Sequence, residues 1–220
     1  MSFTAKSAFL PRIWNNRNDD LQNIPGTFGS FSGSDFTAAD CSAGFVCNRG
    51  AHITGGGYYM TMAANGAARP YFCNPGDVQR VAAGEQLYAV GVDTLGLGAP
   101  AGRLATYTEG KEGEVYAFGP GNFSTLVTTT NKYATIANGL LVGTATEPTS
   151  GWYFELDEGL GIDVFTESNY AAFARYNLRL RHAESLGSLS DVDLSTPPTN
   201  GQVLKYVSAD GAFAPADDAT

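Results

Sequence analysis

Histidine is nearly missing from this 220-residue chain, with two copies, and cysteine appears three times. Charged residues make up only 16 % of the sequence, and the basic ones are outnumbered 13 to 22. Each scarcity excludes something. Two histidines leave few near-neutral groups for acid–base chemistry. Three cysteines are too few for a disulfide scaffold and suit a reducing compartment. A net charge of −9 argues against coating DNA or an anionic membrane, and the one basic stretch, Arg175, Arg179 and Arg181, is short. No apolar run approaches the ~20 residues of a membrane span. The first residues lack the charged start and apolar core of a signal peptide.

What the chain does have is glycine, at 27 positions, together with 43 % hydrophobic and 12 % aromatic residues. That is ample for a packed core, so wholesale disorder is excluded. Helical periodicity is absent, and period-two runs bounded by Gly, Pro or Asn recur. Strands are expected at 58–63, 87–92, 104–108, 114–118, 125–130, 133–136, 140–146, 152–156, 162–166 and 172–181. In the last, Ala174, Tyr176, Leu178 and Leu180 alternate with Arg175, Asn177, Arg179 and Arg181. Short strands separated by turn residues imply an all-β fold, a compact sandwich or barrel-like domain.

Three regions follow from this pattern. Residues 1–50 mix aromatics with Gly, Ser, Asn and Asp without a period, and read as an extended N-terminal arm. Phe3, Phe9, Trp14, Phe28, Phe31, Phe36 and Phe45 are too many apolar groups for a disordered tail, so the arm should pack on its own domain or a neighbour's. Residues 51–182 carry the β-rich domain. Residues 183–220 hold one lysine against six acids, and 203–207 followed by Ala209-Asp210-Gly211 read as a hairpin. A segment under ~40 residues rarely holds a core unaided. Its apolar groups, Leu189, Val192, Leu194, Val203, Leu204, Tyr206 and Phe213, therefore need a partner surface, and other copies of the same segment would supply it.

A reactive constellation is hard to find. Gly-x-Ser-x-Gly, Walker, His-Glu-x-x-His and dinucleotide signatures are all missing. His182 ends the last strand and reads as a surface residue. Cys41, Cys47, Cys73 and His52 fit zinc poorly, because a Cys-x5-Cys gap is not the usual spacing. The cysteines read as unpaired thiols, with a disulfide as the alternative. Glu155 and Asp157, with Glu158 beside them, read as a solvated acidic turn that lacks the cleft of a paired-carboxylate hydrolase. The expectation is therefore no enzyme, no catalytic residue, no metal and no cofactor, but an assembly or binding module.

The C-terminal run from Leu189-Ser190-Asp191-Val192-Asp193-Leu194-Ser195 through Gly201-Gln202-Val203-Leu204-Lys205-Tyr206 resembles a segment of tailed-bacteriophage structural proteins. In that family the stretch precedes a hairpin and a final aromatic-x-Pro, here Phe213-Ala214-Pro215, with Phe where Trp is commoner. The run from Tyr88 to Leu104 is similar, more weakly, to capsid decoration (cement) proteins. The resemblance implies a virion protein on the outside of the head, assembled in the host cytoplasm. It implies the major capsid protein and further copies of the chain, as a homotrimer, for partners, with no nucleic acid and no membrane. The alternative it carries is a head or tail fibre subunit with a receptor-binding role. Candidate capsid contacts are Phe9 and Trp14 in the arm, then the face of Arg175, Arg179 and Arg181.

Overall fold

The computed structural model describes residues 9–12, 23–74, 80–82, 85–87, 98–165, 173–184, 202–207 and 212–217. The chain is all-β. In order, the strands are β1 (Phe9–Arg12), β2 (Asn23–Ser32), β3 (Asp35–Ala38), β4 (Cys41–Ser42), β5 (Val46–His52), β6 (Tyr58–Met62) and β7 (Tyr71–Cys73). There follow β8 (Arg80–Ala82), β9 (Glu85–Leu87), β10 (Gly98–Ala99), β11 (Ala105–Glu109), β12 (Val115–Phe118), β13 (Phe123–Thr125) and β14 (Tyr133–Ala137). The last are β15 (Leu140–Thr144), β16 (Gly151–Leu156), β17 (Ile162–Phe165), β18 (Phe173–Ala183), β19 (Gln202–Val207) and β20 (Ala212–Asp217). Among the described residues no helix is long and apolar enough to cross a membrane.

By contact, the chain divides into Met1–His182 and Ala183–Thr220. The first unit combines a small barrel with a large sheet. Strands β2, β6, β5, β7 and β11 form a closed ring, because β11 pairs with both β7 and β2. Only β2–β6 is parallel in that ring; the other pairs are antiparallel. Closure leaves these five strands few open edges.

Strand β2 makes the closure feasible by changing partners along its length. Asn23 to Gly26 pair with β11, Gly26 to Phe28 with β6, and Gly29 to Ser32 with β3. Here the structure departs from the expected arm. Residues 23–50 build four strands, two of them barrel staves, and only β1 precedes them among the described residues. The physical reason is that Gly26, Thr27 and Gly29 are the buried positions of β2. A strand that buries small residues gives no apolar alternation to read.

The second sheet has the order β1-β12-β18-β16-β14-β15-β13, with β17 also on β18. Its edge strand β1 pairs antiparallel with β12, Phe9 opposite Phe118. Between sheet and barrel lies the larger core. The barrel strands and their flanks supply Ala43, Val46, Ala63 and Phe72; the sheet supplies Tyr116, Phe118, Ile136, Leu141, Phe154, Leu178 and Leu180. Strands at this seam are buried on both faces. In β7, Phe72 turns to the shared core, whereas Tyr71 and Cys73 turn into the barrel.

Two local devices fix the seam. The β14–β15 hairpin turns through Asn138 and Gly139, at φ of 50° and 75°, as a two-residue primed turn requires. Its tip docks on the barrel: the Gly139 N–H donates to the Ala63 carbonyl at 2.8 Å, and the Val46 N–H donates to the Gly139 carbonyl at 2.9 Å. Asn122, buried in a 3₁₀ turn, donates through Nδ2 to the Ala43 carbonyl at 2.7 Å. Its Oδ1 accepts from the Gly119 N–H at 3.1 Å.

Most expected strands are present with edges shifted by a residue or two. The strand expected at 125–130 is instead a turn after β13, because Thr128 Oγ1 accepts from the N–H groups of Thr130 and Asn131. Of the strand expected at 87–92, all but Leu87 lies outside the described residues. In the second unit, β19 and β20 pair with Tyr206 opposite Phe213 and Val207 opposite Ala212.

Gly139 tests the seam. A Cβ there would meet the Phe45 ring at 2.0 Å, whereas one at Gly113, also left-handed at φ 84°, meets nothing within 4 Å. Gly113→Ala is expected to cost about 1–2 kcal/mol of backbone strain. Gly139→Ala is expected to cost about 2 kcal/mol more, because Phe45 must move. Urea unfolding of the two variants measures the difference.

Candidate functional site

The alternation in β18 places Arg175, Arg179 and Arg181 on one face, and the topology then brings a carboxylate to each. Arg175 lies opposite Asp163 of β17 and donates from Nε to Oδ1 at 3.3 Å. Arg181 reaches Glu155 of β16, with Nε at 3.1 Å and Nη2 at 3.0 Å from one carboxylate oxygen. Lys132 approaches the other oxygen of Glu155 at 3.4 Å. Arg179 donates to Asp157 Oδ2 at 2.5 Å and to the Gly113 carbonyl at 2.6 Å. The expected basic face is therefore a ladder of ion pairs.

Asp157 is the most constrained member. Its side chain is 6 % exposed, and its Oδ1 accepts from the N–H groups of Gly159 and Leu160 at 3.1 and 2.8 Å. Asp157 is thus not part of the solvated face that the spacing suggested, whereas Glu158 beside it is exposed. The turn after β16 folds back so that its first carboxylate is enclosed. Burial alone would raise the Asp157 pKa, but the Leu160 N–H, the Arg179 guanidinium and the Gly159 N–H together outweigh it and hold the carboxyl below its ordinary value. A cleft of about 360 Å³ opens here, lined by Glu155, Leu156, Asp157, Glu158, Gly159, Arg179 and Arg181. An acid catalyst would need a raised pKa, and Asp157 is driven the other way. The arrangement anchors the β16–β17 turn to β18.

A second cluster lies inside the barrel, where Cys41, Cys47 and Cys73 are all buried and unbridged. The sulfurs of Cys41 and Cys47 are 3.9 Å apart. Cys73 Sγ lies 3.6 Å from the Cys41 carbonyl oxygen, and Cys47 Sγ lies 3.7 Å from that of Phe45. All three thiols are pushed up from their ordinary pKa, Cys41 and Cys47 chiefly by burial, and Cys73 by the Cys41 side chain and then by burial. Thiolates are thereby suppressed, so the cluster behaves as apolar packing around Tyr107 and Met60. Spacing gave no hint that Cys73 joins the other two; only the closure of β5, β7 and β11 brings it there. Among the described residues no group of three or more His, Cys, Asp or Glu is arranged to hold a metal ion.

The β2–β3 hairpin carries a third feature. Phe31 and Phe36 pack with Tyr59 of β6 as tilted and edge-to-face rings, centroids 4.4 to 5.3 Å apart, and Phe31 is 48 % exposed. His182 lies 4.6 Å from the Trp152 ring and is half-buried.

The other expected contact residues divide sharply. Phe9 is on β1, while Trp14 lies outside the described residues. Val203, Leu204 and Tyr206 are on β19 and Phe213 on β20; Leu189, Val192 and Leu194 lie outside the described residues. No protein-family model matches the chain, and neither a curated protein nor a solved structure matches it.

Asp157 gives the ladder a pH signature. Folding lowers its pKa, so its contribution is fully present above about pH 4 and is lost as pH falls through the folded value. Asp157→Asn is expected to lose about 2 kcal/mol at pH 7, the scale of a charged hydrogen bond. The gap to the parent chain should close in acid below pH ~4. Chemical unfolding at a series of pH values checks this, and a gap independent of pH would rule out the ion pair as its source.

Proposed function

We propose that this chain is a structural protein of a tailed-bacteriophage virion, a decoration protein that binds the outside of the head across capsid subunits. The observation that carries the reading is the C-terminal unit. The segment that resembles virion proteins is compact in itself, and its described part is one two-stranded hairpin with Phe213 39 % exposed. Such a hairpin is marginal alone in water. Association with the same unit of other copies, as a trimer, supplies the missing surface. The larger unit then presents a face to the major capsid protein, and the clustered Phe31, Phe36 and Tyr59 are suitable anchors, since aromatics dominate interface energetics. Decoration of this kind works by spreading modest contacts over several subunits, and it requires no reactive centre.

Gold-labelled antibodies against the purified chain, imaged on virions of the phage that encodes it, test the assignment. Label over the head surface is expected; label confined to tail fibres moves the chain to the fibre reading, and unlabelled virions overturn both.

Truncation tests the assembly step separately. Removing residues 185–220 is expected to reduce the mass seen by light scattering to that of one chain, with the β-sheet circular dichroism retained. An unchanged mass would take the C-terminal unit out of the assembly. At the other end, a deletion to residue 22 spares every barrel strand, whereas one to residue 36 removes β2.

A further inference from the structure

We propose that Cys41 and Cys47 are an oxidation site, and that hydrogen peroxide converts them to a disulfide that locks the barrel. This inference is independent of the virion role. It rests on three features of the thiol cluster. The two sulfurs are already 3.9 Å apart, and rotation about the side-chain bonds must bring them to the ~2.05 Å of a disulfide. Cys73 also lies against the Cys41 side chain, but its sulfur is engaged by the Cys41 backbone oxygen at 3.6 Å. The backbones of the two partners also differ in how firmly they are held. Cys47 belongs to β5, which is paired on both sides, by β6 and β7. Cys41 belongs to the two-residue β4, whose ladder with β10 joins it to Ala99.

That difference sets the order of events. Enclosed, the thiols stay protonated and unreactive. The short β4–β10 ladder opens most easily, and it exposes Cys41 while Cys47 stays in place. The Cys41 thiolate attacks one peroxide oxygen, the O–O bond breaks, and sulfenic acid forms with release of water. While β4 is still open and water reaches Cys47, its thiolate attacks the Cys41 sulfur, and β4 then closes on the bridge. The S–S bond forms, the S–O bond breaks, and hydroxide leaves with the Cys47 proton as a second water. Two thiols are oxidised by two electrons, and one peroxide is reduced to two waters. Two free thiols of the folded chain thus become a cross-link where it meets hydrogen peroxide.

The experiment uses the full chain, folded, with hydrogen peroxide as the oxidant. Remaining thiols are alkylated before digestion with trypsin and mass spectrometry without reduction. Cys41 and Cys47 fall in one tryptic peptide, between Arg17 and Arg49, and Cys73 in the next. The expected result is a first peptide lighter by two hydrogens and closed to alkylation, with Cys73 still alkylated. In Cys47→Ser the Cys41 sulfenic acid should persist and be captured by dimedone. The oxidised chain should melt about 5 °C higher than the same sample with reductant added, as a short closed loop in the unfolded chain implies. Alkylation of all three cysteines after peroxide, or a bridge that includes Cys73, would overturn the site. A Cys41–Cys47 bridge that left the melting temperature unchanged would overturn the lock.

Discussion

Phe72 is where two halves of the larger unit become one. It sits on β7, a barrel stave, but its ring lies within 4.8 to 5.9 Å of Tyr116, Phe118 and Phe154 of the sheet. None of these four rings is exposed to solvent. A barrel of five short strands is a small object, and its interior holds little beyond three thiols, Met60, Tyr107 and a few further side chains. Burial against the sheet supplies the apolar area that the barrel interior lacks. Removing the seam would leave both halves with an uncovered apolar face. The docked tip of the β14–β15 hairpin and the Asn122 bridge serve that same contact, because they satisfy backbone groups that the seam takes out of water.

How much of this can be read from the sequence depends on where the information lies. Strands such as β11, β12, β14, β16 and β18 are legible because each alternates or runs apolar over its own length. The Asn138-Gly139 turn is legible because only a few residue types accept left-handed φ at two successive positions. Strand β2 is illegible for the opposite reason. Its buried positions are Gly26, Thr27 and Gly29, and its pairing is divided among the adjacent β3 and the more distant β6 and β11. The thiol cluster is hidden likewise, since Cys73 reaches Cys41 only through the ring of strands. The arginine face was half legible: alternation put the three side chains together, but their carboxylate partners come from β16, β17 and the turn between them.

The pairing of every β18 arginine changes what that surface offers. A free guanidinium attracts anionic partners at long range; one already bound to a carboxylate has much less field to spend. In a chain with net charge −9, tying these cations down leaves the surface acidic. Long-range attraction of this face for an anion is correspondingly weak. Apolar surface is offered instead by Phe31, 48 % exposed and packed on Phe36 and Tyr59.

The partner changes along β2 also order events in time. A ribosome delivers β2, β3, β5 and β6 before β11, so Pro25 waits for Thr106 before the ring can close. During that interval the first half of β2 has an unsatisfied edge, and the cysteines stand in an open trough. The sheet that covers Phe72 is completed later still, when β18 arrives. Pairings that span so much chain are slow to form, because the closure entropy is lost before the contacts reward it. The nascent chain therefore keeps an unpaired β2 edge until β11 has been made.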